Sequence, residues 1–227
     1  MPDERTSADA DHPDPRRWWP LPDAEDLRER LVDAWSEPHR GYHDLTHLAE
    51  VLARLEELAV AGVPFPVLPV VLAAWFHDAV YDGERDAEER SAVWAEVELP
   101  AVVGEETAAE VARLVRLTET HTPEDDDVAG CALSDADLAI LAAPAWRYEE
   151  YVRTVRAEYA HLDDATFHAG RVHVLEHLAE KPALFHTRPA REQWEEQARA
   201  NLAAEVGRLR AALEADQAAD QPTEQPA

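Results

Sequence analysis

Cysteine is nearly absent. Cys131 stands alone, so no internal disulfide can staple the fold, and the chain suits a reducing cytoplasm. Glycine is scarce at seven residues, which argues against a turn-rich β architecture. Long apolar runs are missing too: the densest, from Val67 to Phe76, is interrupted by Pro69 and is far too short for a bilayer. The opening stretch MPDERTSADADHPDP has neither a basic start nor an apolar segment, so no secretory signal is expected. Positive charge is in deficit. Lys plus Arg total 21 against 48 Asp plus Glu, a formal net charge of -27, and no basic cluster is present to grip a nucleic-acid backbone. The acidic surplus reads first as solubility. It also means that an anionic substrate must be met by a local metal or arginine, because the global field repels it.

What is present is helical periodicity. At 227 residues and 46% apolar content the chain can bury a substantial core. Leu45, Leu48, Leu52 and Leu55, flanked by Val51 and Leu58, make one apolar stripe that stops at Gly62. Tyr148, Tyr151, Val152, Val155 and Tyr159 make a second, and Trp194, Ala198, Leu202, Val206, Leu209 and Leu213 a third. Segments 23–37, 86–98, 105–121 and 164–180 also read as helices, with prolines mostly between the blocks. The expected class is all-α. Residues 1–20 are expected to be a disordered arm, 21–215 a single helical domain, and 216–227 a disordered acidic tail.

Three short stretches carry residues suited to chemistry. His43 and His47 stand four apart, which on a helix places both rings on one side at the edge of the Leu48 stripe. Such pairs are often surface accidents. In Ala73-Ala-Trp-Phe-His-Asp, His77-Asp78 closes an apolar helix, where an unpaired carboxylate is costly and a divalent ion would relieve it; an ordinary helix end meeting water is the plainer alternative. Asp135 and Asp137 stand among small and apolar residues in Ser134-Asp-Ala-Asp-Leu. One could complete a His, His, Asp, Asp shell while Asp135 caps a helix beginning there. A further pair, His173 and His177, lacks any companion motif and reads as part of an amphipathic helix.

Taken in order, His47, His77-Asp78 and a distant aspartate resemble the HD superfamily of metal-dependent phosphohydrolases, in particular its bacterial group known as predicted metal-dependent phosphohydrolases. The similarity runs over roughly residues 27–206. It takes in Arg40 with Tyr42-His43, Trp75-Phe76-His77-Asp78 with Tyr81, Glu88 with Ser91-Ala92, Thr118 with His121, Asp135-Ala-Asp137-Leu, Gly170-Arg171 and Asn201-Leu202. The Tyr42-His43…His47 element is also similar to that of cyclic-nucleotide phosphodiesterases.

The resemblance implies an HD-type helical domain with additional C-terminal helices. It implies one divalent transition metal (Mn, Fe, Co, Ni or Zn) held by His47, His77, Asp78 and Asp137, the last favoured over Asp135 by its place in the motif. His43 would be the general acid and Asp78 would orient the attacking water. Arg40, His121 and Arg171 would contact a small phosphorylated substrate, a nucleotide by analogy, and His121 could recruit a second metal. The alternative is a non-catalytic metal or nucleotide sensor on the same fold. Asp44 and Ala87 depart from the pattern, standing where relatives commonly carry asparagine.

Overall fold

The computed structural model describes residues 13–83 and 85–219, with side chains through residue 216. The described residues contain ten α-helices, two 3-10 helices and no strand, so the all-α expectation holds. In chain order the helices are α1 (Glu25–Trp35), α2 (Leu45–Val60), α3 (Val67–Phe76), α4 (Ala87–Glu98) and α5 (Pro100–Val103), then α6 (Glu105–Leu117), α7 (Val128–Asp137), α8 (Ala145–Glu158), α9 (Asp164–Glu180) and α10 (Arg188–Ala219). They fall into two compact units that divide between Ala136 and Asp137, so the block expected as one domain is shared between both.

In the first unit α6 packs on α3 and α4, and α2 lies against α3. Leu31 and Trp35 of α1, Leu48 of α2, Leu72, Trp75 and Phe76 of α3 and Leu114 of α6 are sealed from solvent. Helix α2 shows how the sequence sets its limits. The Asp44 carboxylate accepts from the Thr46 and His47 amides at 2.8 and 3.2 Å, satisfying two first-turn donors. At the other end Gly62, at φ 87°, takes the left-handed conformation. That allows the Gly62 and Val63 amides to return to the carbonyls of Ala59 and Leu58, each at 3.0 Å.

The second unit is built on α10, which packs along α9 and the 3-10 turn Leu138–Ala142. Asn201 of α10 donates to the carbonyls of Leu141 and Ala143 at 2.8 and 2.9 Å, tying that turn down.

Three expectations change here. Of the arm, residues 1–12 lie outside the described residues, but Pro15–Trp18 form a 3-10 helix capped by Asp14. Trp19 then meets Trp75 edge-on, with ring centres 5.1 Å apart. Proline placement and an Asp cap give order where low periodicity suggested none. At the far end α10 continues to Ala219, so the start of the expected tail, from Asp216, is helical; residues 220–227 lie outside the described residues. Finally, Asp135 does not cap a helix start. It lies near the C-terminal end of α7, whose cap is Asp127, accepting from the Gly130 amide at 2.9 Å.

Candidate metal centre

The C-terminal end of α3 is where the site begins. A helix leaves its last four carbonyls without intrahelical partners, and here each is answered. Ala73 O accepts from the His77 amide at 2.9 Å and Phe76 O from the Ala79 amide at 3.0 Å. Trp75 O accepts from the Trp35 indole at 3.0 Å, and Ala74 O lies 2.8 Å from His77 Nδ1. A carbonyl can only accept, so His77 Nδ1 carries the proton and its Nε2 presents a lone pair.

That lone pair faces two other donor atoms. His47 Nε2 is 3.2 Å away and an Asp78 carboxylate oxygen 3.3 Å away, while His47 to Asp78 measures 3.9 Å. His47 and His77 are 2% and 1% exposed. The three residues form a group whose ligand atoms all lie within 4.8 Å of one another. Metal–nitrogen bonds of about 2.0–2.1 Å at ordinary ligand angles separate neighbouring donor atoms by about 3.0–3.4 Å. The two shorter edges match that spacing. Two imidazole lone pairs held this close repel unless a shared proton or a cation lies between them, and the carboxylate oxygen makes a cation the better fit. The donor set of two nitrogens and an oxygen suits a divalent transition ion, and the Nδ1–H to carbonyl bond is the outer contact that metal-bound histidines usually make.

His43 is beside this group but not on its helix. Helix α2 begins at Leu45, so the expectation that His43 and His47 share a helical face is corrected: Asp44 caps the helix and His43 precedes the cap. A different device places the ring. It stacks on Tyr81, with centres 4.2 Å apart and planes at 27°, and its centre is 5.6 Å from that of His47. Asp44 performs a capping that asparagine can perform equally well.

Arg40 was expected to hold substrate oxygens, and the structure gives it another task. Its Nη1 donates to the carbonyls of His43 and Asp78 at 2.9 and 2.8 Å, and Nη2 to that of Ala79 at 3.1 Å. Nε and Nη2 both reach Glu37 at 3.4 Å. All five N–H groups are thereby committed within the chain. Arg171 is likewise engaged within the chain. In the second unit its Nε donates to Glu205 at 2.9 Å and its Nη2 to the Tyr151 hydroxyl at 2.8 Å, while the Tyr148 hydroxyl donates to the same glutamate at 2.5 Å. Burial, followed by the Glu205 charge, pushes the Tyr148 phenol far above its usual range.

The remaining expected residues are placed as follows. His121 sits in the turn after α6 with φ 47°, half-buried, its Nδ1 3.2 Å from the Ser134 hydroxyl. Asp135 is fully buried in α7. Asp137 ends α7, half-buried, as the first residue of the second unit.

Composition and spacing did not point to Trp35, whose ring centre lies 5.3 Å from that of His77 and 6.1 Å from that of His47. Tyr42, 4.7 Å from His47 by ring centres, and Ser91, whose hydroxyl accepts from the Val80 amide at 3.0 Å, support the site as well. Both stood inside the quoted motifs, and that was their only signal. Comparison with protein-family models, curated proteins and solved structures finds no match, so the reading of the site rests on this geometry and on the quoted residues.

Proposed function

We propose that this chain is an HD-type metal-dependent phosphohydrolase, acting on a small phosphorylated substrate of which a nucleotide is the first candidate. The observation that carries the reading is the convergence of His47 Nε2, His77 Nε2 and an Asp78 oxygen, with the His77 tautomer already set for ligation. One divalent transition ion, Mn, Fe, Co, Ni or Zn, would be held by these three, and which of the expected aspartates, Asp137 or Asp135, is a fourth ligand is a question for substitution. When bound, such an ion lowers the pKa of water and polarises a phosphoryl oxygen.

The chain's own residues supply the rest. Asp78, with a side chain 13% exposed, is the carboxylate at the site able to orient a water for attack. His43, half-buried and braced on Tyr81, is placed to give a proton to the departing oxygen. His121, whose Nδ1 lies 3.2 Å from the Ser134 hydroxyl, is the proposed phosphate contact, or a ligand to a second metal.

The test is a set of single substitutions scored for metal and turnover. His47→Ala and Asp78→Ala should each lose bound Mn2+ by elemental analysis while helical content survives. His43→Ala should keep the metal and lose hydrolysis of p-nitrophenyl phosphate, its bis ester and a nucleotide panel by about 100-fold or more. Unchanged metal content in both ligand variants would overturn the shell. Wild-type protein that binds metal and hydrolyses nothing on the panel would be a sensor instead of an enzyme. Asp137→Ala and Asp135→Ala decide the fourth ligand.

A further inference from the structure

We propose that Arg40 is a positioning residue for the metal centre: it joins the loop carrying His43 to the turn carrying Asp78 and keeps both in register. The inference rests on the metal-centre reading above and assigns Arg40 a part that neither substrate binding nor simple solvation would give it.

Its side chain is fully enclosed, although arginine is among the residues least often buried. The Glu37 carboxylate that meets it is 46% exposed at 3.4 Å, a weak partner for a sealed cation. Backbone dipoles do most of the compensating. One fork arm bridges His43 O and Asp78 O, and the other takes Ala79 O. The guanidinium also lies 5.3 Å from the Trp35 ring centre and 5.6 Å from that of Tyr81. Trp35 borders both metal-facing histidines, and Tyr81 carries the His43 ring.

The turn after α3 is pinned from two sides as a result. Its carbonyls at 78 and 79 go to Arg40, and the Val80 amide goes to the Ser91 hydroxyl. His77 is held independently, through Ala74 O. Asp78 lies in the turn beyond α3, so its carboxylate direction depends on the backbone that Arg40 grips. A lysine cannot substitute, because one ammonium presents a point charge where three carbonyls need a planar fork.

The experiment titrates the full chain with Co2+, following affinity and the visible d–d bands, with circular dichroism as the folding control. Arg40→Lys should keep its helical content, lose affinity by about 10- to 100-fold, the usual effect of removing an outer contact, and show an altered band shape. Arg40→Lys with wild-type affinity and spectrum would overturn the role of Arg40 and leave the metal centre standing. Wild-type protein that binds no Co2+ would overturn both. If Arg40→Lys does not fold, Glu37→Gln carries the test. It removes the negative charge that faces the same guanidinium while keeping an acceptor oxygen, and should weaken Co2+ binding in the same direction by less; unchanged affinity overturns the role.

Discussion

At the residue scale the difference between Asp44 and Arg40 is instructive. Both belong to the loop before α2, and both stood out in the sequence, one as a departure from a family pattern and the other as a substrate contact. Asp44 turns out to cap α2 through the Thr46 and His47 amides. Because His47 is itself one of the capped residues, the cap fixes the first turn from which a ring of the candidate metal centre projects. Asp44→Ala should lower unfolding stability by about 1 kcal/mol, and Asp44→Asn should be nearly neutral, read from denaturant midpoints. Equal losses in the two would show that charge, not capping, is what Asp44 contributes. His47, His77 and Asp78 were legible because ligand chemistry requires particular atoms at particular intervals. Arg40 and Arg171 were expected as substrate contacts, and the structure shows both engaged with acceptors of their own chain. An arginine's five donors serve carbonyls and carboxylates of its own chain as readily as those of a substrate, and only coordinates tell which acceptors lie in reach.

Among the elements, periodicity located the helix cores well and their ends less well. The 164–180 segment matches α9, whereas the segment expected to continue to residue 121 stops at Leu117. A turn follows, in which His121 adopts φ 47°, a conformation that apolar patterning cannot register. Glycine is a sharper case. In α7 a Cβ on Gly130 would lie 2.5 Å from Leu117 Cδ2 and still nearer the Asp127 carboxylate. That carboxylate cannot move aside, because it caps the helix and is gripped by Arg113 at 2.7 Å. Overpacking of this kind costs about 1–3 kcal/mol, and alanine's helix propensity returns at most about 1 kcal/mol. Gly130→Ala should therefore be destabilising. Gly207→Ala, in α10 with nothing within 4 Å of the new carbon, should stabilise by about 0.5–1 kcal/mol. Chemical denaturation of the pair would test both signs, and a stable Gly130→Ala protein would contradict the packing described.

The ordered end of the arm makes a pH-dependent prediction at the same scale. Hydrogen bonds from Arg16 and then Arg28 lower the Glu29 carboxyl from 4.5 to about 2, linking the 3-10 helix to α1. The folded value lies below the unfolded one, so this tie is complete above about 4.5 and is lost as pH falls towards about 2. The protection of the Arg17 and Trp19 amides, which bond within that turn, relative to their intrinsic exchange rates should fall across this window ahead of that of the helical core. Glu29→Gln should remove the effect.

For the molecule as a whole, charge is the dominant fact, and its arrangement is not what the total suggests. Twenty of the 21 basic residues are arginines, Lys181 being the exception. Many of them are drawn into local ties: Arg30 to Glu98 at 2.6 and 2.7 Å, Arg116 to Glu89 and Glu96, Arg113 to Glu110 and Asp127. Being exposed or partly so, such pairs add little stability singly. Their larger consequence is to neutralise positive charge locally, which leaves the net -27 to set the long-range field. A phosphorylated substrate then approaches against repulsion until a bound cation takes over at short range. Screening reaches about 10 Å at 0.1 M salt, so added salt should speed the encounter, the reverse of ordinary electrostatic steering. For an active enzyme, kcat/KM should rise roughly two- to tenfold from about 10 to about 150 mM NaCl, with a steeper slope for the p-nitrophenyl phosphate dianion than for the monoanionic bis ester. A fall with salt, steeper for the dianion, would mean that a positive funnel at the site outweighs the acidic surface, and that residues beyond His121 guide the phosphate inward.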